Sequence, residues 1–135
     1  MGRKQAREGA MKLLFQMNIN NNYTEEAFNT FMENFSYDEL ESKYIEDTIK
    51  DLIKNKDIID KYIEEQLKDW SINRLASVDL AVLRIAIYEI LYRDDIPIEV
   101  SINEAVETSK KYSSEDSYKF VNGVLGGFVR SRSDK

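Results

Sequence analysis

"SVDLAVLRIAIYEILYR", residues 77–93, decides how the rest of the chain is read. Its charges, Asp79, Arg84, Glu89 and Arg93, do not gather on one face of a helical projection, and apolar residues fill nearly all the positions between them. A helix that is apolar almost all round belongs at the centre of a packed domain. Outward from this segment, apolar residues recur at spacings of three and four, only one proline and five glycines interrupt them, and no alternating strand pattern competes. The expectation is an all-α fold.

Seven helices follow from the punctuation. The first spans roughly residues 3–18, with Ala6, Ala10, Leu13, Leu14 and Met17 on one stripe, and ends in the Asn-rich run "NINNNY". Thr24 is placed to cap the second, ahead of Glu25 and Glu26, with Phe28, Phe31, Met32 and Phe35 inward. Ser36 with Glu39 reads as the capping box of the third, which should bury Leu40, Tyr44, Thr48 and Leu52. Asp57 is the cap expected for the fourth, whose stripe is Ile59, Tyr62, Ile63, Leu67 and Trp70. Pro97 opens a sixth helix with Ile98, Ile102, Ala105 and Val106. A Ser113–Asp116 capping box opens a seventh, which runs to about Arg130. Residues 1–135 are expected to form one domain.

Composition narrows the function. The chain has no cysteine and no histidine, so thiolate and imidazole chemistry and the usual zinc ligands are excluded. Carboxylate pairs such as Asp94–Asp95 and Glu64–Glu65 fall in a turn or on solvated helical positions, and "NGVLGG" lacks the strand and the Lys-Ser/Thr ending of a phosphate loop. A non-enzyme without metal or cofactor is expected. The absence of disulfides and of a signal-like or membrane-spanning run points to the cytoplasm.

The net charge of −6 conceals a pattern. Residues 1–16 carry +3, residues 117–135 carry +3, and the middle carries −12. On the first helix Lys4 and Phe15 project away from the core stripe, with Arg7 and Met11 on the flank beside Lys12. Basic side chains attract phosphate, and an exposed aromatic stacks an unpaired base. The other reading packs Phe15 under a loop and leaves the cations merely solvated. The last helix repeats the combination: Phe120 flanks its inner face, Lys119 adjoins it, and Asp116 lies one turn earlier. Gly123, Gly126 and Gly127 mean either a close backbone approach or a fraying end.

The motifs "LRIAIYE" (83–89), "DIP" (95–97), "INEAVE" (102–107) and "KFVNGVL" (119–125), in that order and together with the opening "RKQAREGAMKLLFQ", resemble the NusB family of transcription antitermination factors. The resemblance covers almost the whole chain and is weakest over 18–70. It implies two packed three-helix bundles with an N-terminal helix and no catalysis. It also implies pairing with NusE, the small-subunit ribosomal protein S10, and binding of boxA RNA within the RNA polymerase antitermination complex, in support of rRNA transcription. Carried over by position, the resemblance assigns RNA contact to Arg3, Lys4, Arg7, Phe15, Asp116, Ser117, Lys119 and Phe120. It assigns NusE contact to Asp79, with Val82, Leu83 and Ala86 as an apolar patch. Phe15 stands where relatives often carry Tyr, and Gln5 where many carry another basic residue. Rival readings are a protein-only helical adaptor, a self-associating homodimer that hides the basic helix, and the NusB-like domain that precedes a methyltransferase domain in certain rRNA cytosine methyltransferases.

Overall fold

The computed structural model describes residues 2–68 and 71–133. Trp70, Asp134 and Lys135, which entered the readings above, lie outside them. Seven α-helices account for most of the described chain: α1 (Arg3–Asn20), α2 (Glu25–Asn34), α3 (Glu39–Lys54), α4 (Lys56–Glu65), α5 (Ser77–Tyr92), α6 (Ile98–Tyr112) and α7 (Glu115–Ser133), with a short 3-10 turn at Ile72–Arg74. No strand occurs among the described residues.

The central role of α5 is explicit. Every residue from Asp79 to Glu89 is buried, and α1, α3, α4, α6 and α7 all pack on this helix. Helices α1, α2 and α3 form one three-helix group and α5, α6 and α7 another; α1 lies on α5, and α4 packs against α3, α5 and α7. Side-chain bonds fix the directions. Arg7 meets Glu89 and Asn18 meets Ser77, so α1 runs antiparallel to α5. Ser101 meets Glu89 on the return through α6.

A central helix that carries charge must satisfy it internally, because a buried unpaired charge costs several kcal/mol. Glu89, 1% exposed, accepts two bonds from Arg7 at 2.9 and 3.1 Å, one from Ser101 at 2.7 Å and a short one from Tyr44. Arg84 donates twice to Asp60 and once to Tyr23. The polar residues that break the apolar run of α5 therefore tie it to α1, α3, α4 and α6.

Helix starts differ in detail from the sequence reading. Thr24 caps α2 through the Ala27 amide, as expected. The capping box of α3 is Asp38 with Glu41 rather than Ser36 with Glu39, because the helix begins later and the stronger carboxylate acceptor lies next to it. Asp57 sits in the first turn of α4, which starts directly after Asn55. At α7 the Ser117 amide bonds to Ser114 Oγ rather than to Ser113. Three residues expected in the core are exposed. Phe35 lies past the last turn of α2 on extended backbone, Leu40 lies in the first turn of α3, ahead of the buried Tyr44 and Ile45, and Ile98 opens α6 beyond the end of α5.

Candidate nucleic-acid interface

Lys4, Lys12 and Phe15 are exposed on one side of α1, with Phe15 36% exposed, while the exposed Arg3 lies on the α3 side of the same helix. Arg3 lays its guanidinium over the Tyr44 ring, 4.8 Å from the centroid, which orients it without consuming its hydrogen-bond donors. Arg7 departs from expectation. It is 8% exposed, and its guanidinium grips Glu89 while lying 3.8 Å from Glu104. The flank that a single-helix projection leaves open is covered by α6, so Arg7 and Met11 face the α1–α5–α6 seam. Burial alone would lower the Arg7 pKa, but Glu89 outweighs it and holds the guanidinium more firmly charged. Arg7 is a largely buried cation paired with Glu89.

The second cluster opens α7. Asp116 and Lys119 are exposed, Ser117 is half-buried, and Phe120 is half-buried against the core. Ser113 Oγ donates to Ser117 Oγ at 2.8 Å, and Ser114 Oγ lies 3.1 Å from the same hydroxyl. These serines lock the α6–α7 corner to the first turn of α7.

Register brings the two clusters to one side. Glu8 of α1 accepts from Tyr112 at 2.9 Å and from Lys111 at 3.1 Å, at the end of α6, and Lys12 sits over the Tyr112 ring. Burial would raise the Glu8 pKa, but the bonds from Lys111 and Tyr112 hold it below the usual carboxylate range. Phe15 follows Glu8 by seven residues, two helical turns, and so shares the side of α1 that faces the α6–α7 corner. Lys111 and Tyr112 thus enter the site unannounced. Their only sequence signal was the "KKY" run closing α6, which helical periodicity treats as an ordinary charged helix end.

The expected protein-binding patch does not lie on the surface. Asp79 is 6% exposed, Val82 3%, Leu83 0% and Ala86 2%, because neighbouring helices cover α5 on all sides. Asp79 points toward Ser113 and Ser117, and its Oδ1 has no hydrogen-bond partner. Burial raises its pKa, against the weaker pull of those two hydroxyls. A folded pKa above the unfolded one contributes stability that is complete below the ordinary aspartate range and is lost as the pH rises through the raised value. Asp79→Asn should therefore unfold at or above the wild-type temperature near neutral pH, with the difference closing in acid. Thermal melts across that range check this, and a destabilised variant at neutral pH would refute it.

Among the described residues, no group of three or more acidic side chains is arranged to hold a metal ion, and no helix is long and apolar enough to cross a membrane. Comparison with known proteins is consistent in one direction. The model of the NusB family matches residues 4–130. The chain is 48% identical over 130 residues to the transcription antitermination protein NusB of Acetivibrio thermocellus, covering 96% of this chain and 90% of that one. It is 43% identical over 135 residues to the NusB of Clostridium acetobutylicum, covering the whole of both. Among solved structures, NusB from T. maritima superposes with a TM-score of 0.88 at 38% identity, over 96% of this chain and 92% of that one. A chain from a crystal structure of the antitermination factors NusB and NusE in complex with dsRNA superposes with a TM-score of 0.84 at 27% identity, over 96% of each.

Proposed function

The chain belongs to the NusB family, and from that premise we propose that it is a non-enzymatic transcription antitermination factor of the cytoplasm. It binds boxA-type RNA together with NusE, within the RNA polymerase antitermination complex, and supports rRNA transcription. One observation carries the RNA half of this reading. The exposed Lys4, Lys12 and Phe15 lie along the side of α1 that Glu8 and Lys12 tie to Tyr112 at the end of α6, and the exposed Asp116 and Lys119 follow directly at the start of α7, which supports a shared basic and aromatic surface.

The division of labour follows from side-chain chemistry. Arg3, Lys4 and Lys119 supply sequence-independent phosphate attraction. Phe15 and the half-buried Phe120 offer ring surface to unpaired bases, and Asp116 and Ser117 offer acceptors to base amino groups. Arg7 holds α1 on α5 beneath that surface. Asp79, Val82, Leu83 and Ala86 act from below as well, setting the packing under whatever surface NusE meets. The strongly acidic middle of the chain favours a basic ribosomal protein as partner and turns RNA toward the basic ends.

The test is a salt titration of binding to a short boxA-like RNA and to a scrambled control, with and without NusE. Selective binding that tightens with NusE is expected. The Lys4→Gln/Lys119→Gln pair should weaken both RNAs alike and flatten the logarithmic salt slope by about 1.4, at about 0.7 per phosphate contact on a single strand. An unchanged slope would remove the phosphate role. NusE binding without RNA selectivity would favour the protein-only adaptor instead.

A further inference from the structure

On the other side of the α1 ridge from the α6–α7 corner, α1 and α2 enclose an open groove of about 220 Å³. Its lining is unusual for this chain. A third of all residues are charged, yet the groove presents the amides of Gln16, Asn20, Asn22 and Asn34, with Glu26 as its one carboxylate. Gln16 and Asn20, four apart on α1, are both exposed on one helical stripe. Asn22 and Asn34 are already committed to local bonds, with the Thr24 hydroxyl and the Thr30 carbonyl.

An aromatic ring closes one end. Phe35 is 45% exposed, and the partner on its covered side is the buried Phe31, whose ring centroid lies 4.5 Å away. Phe35 also lines the neighbouring cleft, which Lys12 borders, so the ring stands between the groove and that cation.

We propose that this groove seats one unpaired, amino-bearing nucleobase of the bound RNA, stacked on Phe35 and read by Gln16 and Asn20. The proposal rests on the RNA-binding reading above and adds to it a determinant of sequence preference. A primary amide carries a donor and an acceptor side by side, matching the paired groups of a base edge, and Glu26 is a further acceptor for an amino group. Neutral amides contribute little to phosphate attraction, which makes the site separable from the lysines. A surface aromatic backed by a second ring gives a base a fixed platform.

The probes are the boxA-like RNA and its scrambled control, bound by the wild-type chain, Gln16→Ala/Asn20→Ala and Phe35→Ala. The double variant replaces two exposed helical residues by the best helix former and should fold normally. It is expected to lose about tenfold of the preference for the boxA-like RNA, the scale of one lost bidentate base contact, with its salt slope unchanged. Phe35→Ala should weaken the same RNA selectively. An undiminished preference in the double variant overturns the groove as a base reader while leaving the RNA-binding reading intact. A uniform loss with a flattened slope overturns it too, because that is phosphate behaviour. Weakened NusE binding in the absence of RNA would make the groove a protein surface instead. Failure of the wild-type chain to prefer the boxA-like RNA would sink the functional reading, and this inference with it.

Discussion

Arg7→Met should destabilise the fold by about 3–5 kcal/mol, the usual cost of stripping one partner from a buried ion pair. The melting temperature would fall by roughly 10–20 °C at a few degrees per kcal/mol. The size of the effect comes from what is left behind. Glu89 is 1% exposed, and without Arg7 it keeps only the Tyr44 and Ser101 hydroxyls and loses its paired cation. Adding Glu89→Gln should recover part of the loss, since a neutral amide no longer needs a counter-charge. Thermal or denaturant unfolding of the two single variants and the double measures the coupling. Additive losses would show that the pair does not act as a unit. Where Arg7→Met is still folded, its RNA binding should keep the wild-type salt slope, which separates a buried cation from a phosphate ligand.

That prediction marks where sequence reasoning stopped. The all-helical fold, the centrality of α5 and the Thr24 cap were legible because each depends on spacing within one segment. The environment of Arg7 was not, since it depends on α6 arriving over one flank of α1, a contact between residues about a hundred positions apart. The same limit applies to Asp79, Val82, Leu83 and Ala86. A nearly all-round apolar helix implies burial, but family position suggested a surface patch, and burial prevailed. In the interface, Lys4, Phe15, Asp116 and Lys119 were legible as outward positions on their own helices. Lys111 and Tyr112 were not, because their meeting with Glu8 is set by how α6 ends against α1. Cap positions failed for a smaller reason. Ser36, Asp38, Ser113 and Ser114 are all competent caps, and only the point at which the chain turns into the helix chooses between neighbours.

Phe15→Ala should produce the largest loss of RNA affinity for the smallest loss of stability. Stacking of one base on an aromatic side chain is worth about 1–3 kcal/mol, or roughly 5- to 150-fold in affinity. Phe15 is 36% exposed, on a helix whose core stripe of Ala6, Ala10, Leu13, Leu14 and Met17 is buried without it. Its removal should therefore move the melting temperature by only a few degrees and leave the salt slope unchanged, because a ring neutralises no phosphate. Lys4→Gln should do the reverse, flattening the slope with a smaller loss at moderate salt. The two substitutions divide the α1 surface into a stacking part and a charged part. Phe15→Tyr should bind at least as well as the wild type, since it keeps the ring and adds a hydroxyl that can hydrogen-bond. If Phe15→Ala instead lowers the melting temperature sharply and leaves RNA affinity alone, the ring is packing material, and the aromatic contribution to binding rests on Phe120.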